Sequence, residues 1–160
     1  MVIVLMGVTG SGKTTVGREL ARELGWRFYD ADDFHPAANV EKMSRGVPLD
    51  DRDREPWLDA LRELVRVHVA RGESAVLACS ALKERYRECL LIGDDVKLVY
   101  LKGDEEVIRA RLDNRQGHFM KASLLDSQFA ALEEPERALR VDVASTPKEI
   151  IKTIRDGLGV

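Results

Sequence analysis

The clearest chemical pattern in the sequence is a glycine-rich run at residues 7–14. It reads Gly-Val-Thr-Gly-Ser-Gly-Lys-Thr and matches G-x-x-x-x-G-K-[ST] in full, between an apolar strand-like run and a helical pattern. In such a loop the glycines let backbone N–H groups turn toward phosphate oxygens, Lys13 reaches the β- and γ-phosphates, and the Thr14 hydroxyl takes Mg²⁺. A dinucleotide fingerprint does not fit, because Thr15 replaces its third glycine. The predicted nucleotide-binding residues are Gly7, Val8, Thr9, Gly10, Ser11, Gly12, Lys13, Thr14 and Thr15.

Two carboxylates come at the end of the second predicted strand, residues 26–30. The carboxyl ends of parallel strands line the ligand crevice, so Asp30 and Asp32 are expected beside the phosphate-binding loop. One carboxylate there can hold Mg²⁺-bound water, and a second can accept the proton of an attacking hydroxyl. The alternative is that Asp32 only caps or solvates a turn. From the residues alone, both interpretations stay open.

A basic segment between two predicted helices is the third candidate. Arg111 and Arg115 are four residues apart and share one helix face, and Gly117 offers a hinge. Arginine on a closing segment can neutralise charge on a transferring phosphoryl group. The alternative is an ordinary solvated helix whose acidic and basic residues pair with each other.

Strand and helix signals alternate along the chain. Short apolar runs separated by amphipathic helical patterns are typical of a parallel α/β sheet covered by helices on both faces. Segments 30–55 and 115–121 are irregular apart from a short helix at 39–45, and long irregular segments in compact domains are usually functional. The predicted strands are 2–6, 26–30, 74–79, 96–101 and 138–143, and the other predicted helices are 13–24, 56–71, 82–92, 104–114, 122–132 and 147–157.

Composition narrows the class of protein. A chain of 160 residues, of which 44% are hydrophobic and 33% charged, predicts one globular domain and excludes disorder as the default. The net charge of −3 argues against a nucleic-acid partner, and no apolar run approaches the roughly 18 residues of a membrane span. Because two cysteines cannot form a disulfide framework, a reducing, cytoplasmic compartment is expected.

Three classes of nucleotide-binding protein compete: a small-molecule kinase, a GTPase switch and a larger ATPase module. The guanine-specificity sequence N-K-x-D is absent. The third predicted strand ends Leu77-Ala78-Cys79-Ser80, without the acid that an ATPase module would use to hold Mg²⁺. The metal-assisting carboxylate is therefore expected at the end of the second strand, which favours the small-molecule kinase.

Together these motifs resemble the gluconokinases, small P-loop kinases that phosphorylate D-gluconate with ATP. The most specific matches are Asp-Ala-Asp-Asp-Phe-His-Pro at 30–36 and Gly-His-Phe-Met at 117–120. Further matches are Met6 with the phosphate-binding loop, Asn39, Lys42, Met43, 46–49, 53–54, 56–58, 79–83, 86–87, 124–125 and 127–129. The resemblance implies a three-layer P-loop NTPase fold of the nucleoside-monophosphate-kinase type. It implies a single kinase domain over 1–160, with a substrate-binding segment at about 32–58 and a lid at about 111–123.

The resemblance also implies a reaction and its residues. ATP and Mg²⁺ are the implied cofactors, and the γ-phosphoryl group passes in line to the primary hydroxyl of gluconate, giving 6-phosphogluconate. By similarity to the related shikimate kinases, Asp30 assists Mg²⁺ beside Thr14, and Asp32 acts as the base. The implied catalytic residues are Lys13, Asp32 and Arg115, and Arg111 joins the nucleotide-binding residues. The implied substrate-binding residues are Asp32, His35, Arg54, Ser80, Lys83, Arg87 and His118.

Some choices stay open at this point. Arg54, Lys83 or Arg87 can hold the gluconate carboxylate, and arginine does so bidentately. Family members are often homodimers, which implies the same possible assembly here. The alternative functions are a kinase for another small hydroxy acid, such as shikimate, and a non-catalytic ATP-binding module.

Overall fold

A five-stranded parallel sheet forms the centre of the molecule. The computed structural model describes residues 1–114 and 119–160, and only the backbone of 119–123. The strand order is β2-β3-β1-β4-β5, so the first strand of the chain is central. The strands are β1 Val2–Met6, β2 Arg27–Asp30, β3 Ala75–Ala78, β4 Val96–Lys102 and β5 Leu139–Asp142. All neighbouring strands pair in parallel, which confirms the predicted sheet.

Helices cover both faces of this sheet, and β1 is therefore buried on both sides. The helices are α1 Lys13–Leu24, α2 Ala37–Ser44, α3 Asp51–Arg71, α4 Glu84–Leu90, α5 Glu105–Asp113, α6 Phe119–Ala131 and α7 Pro147–Leu158. Ile3 and Leu5 of β1 lie in one core with residues of α1, α5, α6 and α7. Val2, Val4 and Met6 lie in a second core with residues of α3 and α4. The predicted three-layer α/β architecture is therefore confirmed.

The start of α3 differs from the prediction, which put it at residue 56. The Asp50 carboxylate accepts from the Asp53 N–H at 2.7 Å, and Asp53 Oδ2 accepts from the Asp50 N–H at 3.0 Å. This capping box starts the helix at Asp51 and leaves Pro56 inside it. The segment expected to be irregular is therefore mostly regular, since it contains a 3₁₀ turn at Ala31–Phe34, α2 and the first turn of α3.

Other helices also differ from the sequence prediction at their ends, by one residue in α5 and α7 and by more in α2, α4 and α6. The helix predicted at 82–92 is shorter, and the one predicted at 122–132 begins at Phe119. The predicted lid includes residues 115–118, which lie outside the described residues. None of the helices in the described ranges is long and apolar enough to cross a membrane.

Candidate active site

The phosphate-binding loop leaves the buried end of β1 and leads into α1. Gly10 and Gly12 have φ values of +78° and +92°, which glycine adopts without the steric cost of a side chain. A Cβ atom on Gly10 would lie 3.0 Å from a leucine side chain of α5, so close packing also requires glycine there. The Lys13 ammonium group donates to the Val8 carbonyl across the loop at 2.9 Å.

The other loop residues range from buried to exposed. Val8 is buried, and Ser11 is buried beneath Gly7, where a Cβ atom would come within 2.7 Å of the Ser11 hydroxyl oxygen. The Gly7 N–H donates to the Ser80 carbonyl at 3.4 Å, which ties the loop to the segment after β3. Thr15 is exposed in the first turn of α1. The loop is thus fixed on its inner side and open on its outer side.

The two residues implied as metal-binding touch each other. The Thr14 hydroxyl donates to Asp30 Oδ2 at 3.0 Å, and Asp30 Oδ1 accepts from the Asp32 N–H at 3.1 Å. Hydroxyl and carboxylate oxygens are the ligands that Mg²⁺ prefers, and protein Mg²⁺ sites usually combine one or two such groups with substrate phosphates. Within the described ranges, no group of three or more His, Cys, Asp or Glu residues forms a metal site by itself. The pair therefore fits a Mg²⁺ ion that is shared with a nucleotide.

Asp32 lies in the 3₁₀ turn that follows β2, with its side chain exposed. Reduced solvation of its carboxyl group and the charge of Asp30 raise its pKa, and His35 and Lys13 oppose that shift. Burial lowers the pKa of Lys13, and the negative charges of Asp32 and Asp30 are among the effects that oppose it. Among the described residues, no side chain hydrogen-bonds the Asp32 carboxylate. Its oxygens are thus available to an acceptor hydroxyl.

His35 is held against the first turns of α3. Its ring stacks on the Trp57 indole with centroids 4.6 Å apart and planes 9° apart. Trp57 Nε1 in turn donates to the Ala31 carbonyl at 2.7 Å. Burial lowers the pKa of His35, the Asp32 carboxylate raises it, and the positive charge of Arg54 lowers it further. His35 directly follows the 3₁₀ turn that contains Asp32, and its backbone N–H donates to the Asp32 carbonyl at 3.5 Å.

A basic cluster, which we define as Arg54, Lys83 and Arg85, surrounds the Tyr86 ring. The three cationic groups lie 5.8, 5.8 and 5.2 Å from the ring centroid, respectively. Asp51 contacts this cluster, since its Oδ1 lies 3.6 Å from Lys83 Nζ and 2.5 Å from Arg85 Nη2, and it accepts from the Tyr86 hydroxyl at 2.6 Å. One carboxylate faces three cations, which leaves net positive charge for an anionic ligand.

Arg87 does not join the basic cluster. Its side chain is 1% exposed, and its Nη1 donates to the carbonyls of Ala81 and Leu82 at 2.9 and 3.0 Å. Its Nη2 pairs with Glu84. Helical side chains lean toward the N-terminus of their helix, so the Arg87 side chain of α4 turns back under the loop before it. That loop contains Ala81 with φ of +43°, an uncommon conformation for a residue with a Cβ atom.

Helix α6 contacts the phosphate-binding loop directly. The Gln128 side-chain carbonyl accepts from the Thr9 N–H, and Asp126 pairs with Arg109 of α5. Arg111, on the same helix as Arg109, donates to the Val143 carbonyl after β5. Arg115 and His118 lie outside the described residues. The Arg111 side chain is therefore tied to the segment that precedes α7.

The structure brings most of the implied site residues to one end of the sheet. Lys13, Thr14 and Asp30 lie at the loop, Asp32 lies on the 3₁₀ turn, and His35 directly follows that turn. Sequence reasoning assigned no role to Gln128, Asn39 or Arg85. Gln128 and Asn39 were visible as family matches, but their contacts reach residues 119 and 14 positions away, which spacing cannot reveal.

The chain is similar to known proteins over most of its length. A family model described as an AAA domain matches residues 2–135. A probable gluconokinase of Xenopus tropicalis is 48% identical, covering 96% of this chain and 91% of that protein. The gluconokinase of Gluconobacter oxydans (strain 621H) is 48% identical, covering 95% and 88%. The crystal structure of a gluconokinase from Sinorhizobium meliloti 1021 matches with a TM-score of 0.86 and 43% identity, covering 98% and 90%. Because these similarities extend over nearly the whole chain, the protein belongs to the gluconokinase family.

Proposed function

We propose that this protein transfers the γ-phosphoryl group of ATP to the primary hydroxyl of D-gluconate, giving ADP and 6-phosphogluconate. The observation that carries the proposal is the position of the exposed Asp32 carboxylate, which follows the Thr14–Asp30 pair and lies near enough to Lys13 for their charges to interact. A non-catalytic ATP-binding module would not need such a carboxylate. Membership of the gluconokinase family supports gluconate as the acceptor.

In the proposed reaction the primary hydroxyl of gluconate loses a proton and gains a phosphoryl group. Asp32 takes the proton of the primary hydroxyl as the hydroxyl oxygen forms its bond to the γ-phosphorus. The bond from that phosphorus to the bridging oxygen breaks, and the electron pair leaves with ADP. The raised pKa of Asp32 suits a group that must gain a proton during the reaction.

Lys13, Thr14 and Asp30 prepare the phosphate side of the reaction. Lys13 supplies positive charge to the β- and γ-phosphates, and the loop N–H groups donate to phosphate oxygens. Thr14 and Asp30 would hold Mg²⁺, which offsets phosphate charge when it is bound. Arg115, as the lid arginine, is proposed to add charge to the transferring group.

The acceptor side uses the basic cluster. Arg54 and Lys83 are proposed to hold the gluconate carboxylate, because both lie against Tyr86 and at least a third of the Lys83 side chain is exposed. His35, Ser80 and His118 are proposed to bind hydroxyls. Arg54 is half-buried and donates through Nη1 to the Leu49 carbonyl at 2.9 Å, whereas Arg87 is left out, because its side chain is only 1% exposed and its guanidinium is occupied by the carbonyls of Ala81 and Leu82 and by Glu84. Binding one end of the polyol at the cluster would place the other end toward Asp32.

A coupled ADP-release assay tests the proposal, with gluconate, shikimate and AMP as acceptors. We expect release with gluconate only, and phosphorus–proton NMR correlation should place the phosphate on the primary carbon. Lys13→Ala and Asp32→Asn should each lower turnover about a hundredfold or more, with the fold retained. Turnover of shikimate but not gluconate would overturn the substrate. Loss of ATP affinity with unchanged gluconate affinity in Asp32→Asn would instead assign Asp32 to the metal site.

The cytoplasmic location and the homodimeric assembly of this protein stay predictions.

A further inference from the structure

Asn39 is a buried polar residue whose side chain links two parts of the substrate-binding segment. It lies on α2 and is 4% exposed. Its Nδ2 atom is 2.8 Å from the Asp53 carbonyl oxygen and 3.2 Å from His35 Nδ1. A buried amide with two partners of this kind is constrained in orientation, because leaving either partner unpaired costs free energy.

The first of these contacts fixes the identity of the amide atom. A backbone carbonyl only accepts hydrogen bonds, so the Asn39 atom that faces Asp53 must be the nitrogen. That nitrogen has two hydrogens, and the second is the one available to His35 Nδ1. Nδ1 can accept it only if it carries no proton of its own. Neutral His35 must then carry its proton on Nε2.

The rest of the surroundings hold the ring in place. Stacking on Trp57 fixes the ring plane, and the bond from Asn39 fixes the rotation within that plane. Nε2 lies across the ring from Nδ1 and therefore points away from the buried amide. Among the described residues no protein group hydrogen-bonds Nε2. Asp32 is close enough for its charge to act on the ring.

We infer that Asn39 is a positioning residue that fixes His35 in the tautomer with its proton on Nε2, so that His35 meets the acceptor substrate as a hydrogen-bond donor. This inference rests on the proposed function for the identity of the acceptor. His35 and Asp32 then have different roles toward the substrate. His35 Nε2–H can only donate to a hydroxyl oxygen, whereas Asp32 accepts the hydroxyl proton. With the opposite tautomer, Nε2 would compete with Asp32 for that proton.

The direct test reads the tautomer in the enzyme without substrates. Long-range ¹H–¹⁵N correlation of the labelled histidines, above the pKa of His35, distinguishes protonated from unprotonated ring nitrogens. The His35→Gln variant identifies the His35 signals among the three histidines. We expect Nε2 to be protonated in the wild type. Asn39→Asp places an acceptor opposite Nδ1 and should move the proton to Nδ1, and Asn39→Ala should give a mixture of the two tautomers.

Lys42 provides the matched control. Its ammonium group contacts Asp53 Oδ2 at 2.7 Å, so Lys42→Gln removes another tie between α2 and α3 without touching His35. The tautomer should not change in that variant. A wild-type proton on Nδ1, or a tautomer unaffected by both Asn39 substitutions, would overturn the inference. Either result is independent of the substrate assay, so it is distinguishable from a failure of the proposed function.

Kinetics test whether the tautomer acts on the acceptor. Asn39→Asp should raise the KM for gluconate about tenfold, the usual worth of one hydrogen bond, and leave the KM for ATP unchanged. In a His35→Gln background, Asn39→Asp should have no further effect on the KM for gluconate, because the tautomer no longer exists. An undiminished effect in that background would show that Asn39 acts only by supporting α2, and would contradict its role through His35.

Discussion

The Thr14 hydroxyl donates to Asp30 Oδ2 at 3.0 Å, which joins the start of α1 to the end of β2, 16 residues later. This bond is possible because β2 and β1 both pair with β3, so that their carboxyl ends lie at the same edge of the sheet. The strand ends thus bring a hydroxyl and a carboxylate together before any ligand binds. The Mg²⁺ requirement should therefore depend on Asp30 as well as on the loop.

Asp30→Asn tests this dependence. The amide oxygen can still accept from the Thr14 hydroxyl, but the negative charge is lost. We expect the Mg²⁺ concentration at half-maximal rate to rise about tenfold or more, because a charged ligand partner contributes more than a neutral one. Titration of the initial rate with Mg²⁺ at saturating ATP measures it. Asp33→Asn, a change at the exposed neighbouring carboxylate, should leave the requirement unchanged. An unaltered requirement in Asp30→Asn would remove Asp30 from the metal site.

Arg87 and Arg54 should respond differently to substitution. Arg87→Met leaves the Ala81 carbonyl unpaired, whereas the Leu82 carbonyl keeps the Glu133 N–H at 2.9 Å, so the substitution should lower the free energy of unfolding by about 1–3 kcal/mol. Arg54→Ala should raise the KM for gluconate about ten- to a hundredfold, and it should lower the free energy of unfolding less than Arg87→Met does, because the Leu49 carbonyl that loses its bond is only half-buried. Urea unfolding and steady-state kinetics on both variants separate the two effects. If Arg87→Met is stable but loses gluconate affinity, Arg87 binds the substrate carboxylate after all.

The case of Arg87 shows where sequence reasoning succeeds and where it fails. The sheet and the phosphate-binding loop follow from local patterns, because a buried strand, a glycine-rich turn and a helix start are each encoded by consecutive residues. Placing Arg87 beside Arg54 and Lys83 needs the direction of a side chain on a short helix, which residue type alone does not determine. The basic cluster itself forms around Tyr86, and it joins the first turn of α3 to α4 through tertiary packing.

Helix starts show the same limit at a smaller scale. Pro56 predicts a helix start, but the Asp50–Asp53 capping box satisfies the backbone N–H groups earlier, and the helix begins there. The box uses aspartate at both positions, whereas the usual sequence signature has serine or threonine followed by glutamate or glutamine. The contacts of Asn39 with His35 and Asp53 depend on that earlier start. The first turn of α3 then contains Asp53 and lies beside α2.

Stability should fall when the pH is lowered through the range of histidine titration, in part because of His68. This side chain is 4% exposed, and its Nε2 lies 3.1 Å from the Tyr29 hydroxyl. Burial lowers its pKa below 6.5, with Arg27, Arg71 and the N-terminus acting in the same direction and Glu73 opposing them. The unfolded chain therefore binds the proton more readily than the folded one. The stabilisation is complete above about pH 6.5 and is lost progressively below it.

Urea unfolding at about pH 8 and about pH 5.5 measures this loss. His68→Gln keeps a polar partner for Tyr29 but cannot take up a proton, so its stability should fall less over the same range. The comparison isolates His68 from His35, whose pKa burial also lowers. Equal pH dependence in the wild type and in His68→Gln would mean that His68 does not contribute to the pH dependence.

The last prediction concerns the end of the lid. Residues from 124 onward are tied to the rest of the molecule, because Leu125 is fully buried, Asp126 pairs with Arg109, and Gln128 accepts from the Thr9 N–H. If a lid closes over ATP and gluconate, its movement should therefore end before this point. Hydrogen exchange with and without both ligands should change over residues 110–123 and stay the same over 124–131.

Gln128→Ala tests the anchor itself. It removes the acceptor of the Thr9 N–H, so the Thr9 amide should exchange faster in the free enzyme, and ligand-dependent protection should extend into 124–131. Ser127→Ala is the matched comparison, because among the residues that the structure describes the Ser127 hydroxyl bonds only to the Leu124 carbonyl of its own helix. It should leave the Thr9 exchange rate unchanged. Ligand-dependent protection of 124–131 in the wild type, as strong as in 110–123, would show that α6 moves with the lid and that the Gln128 contact opens on binding.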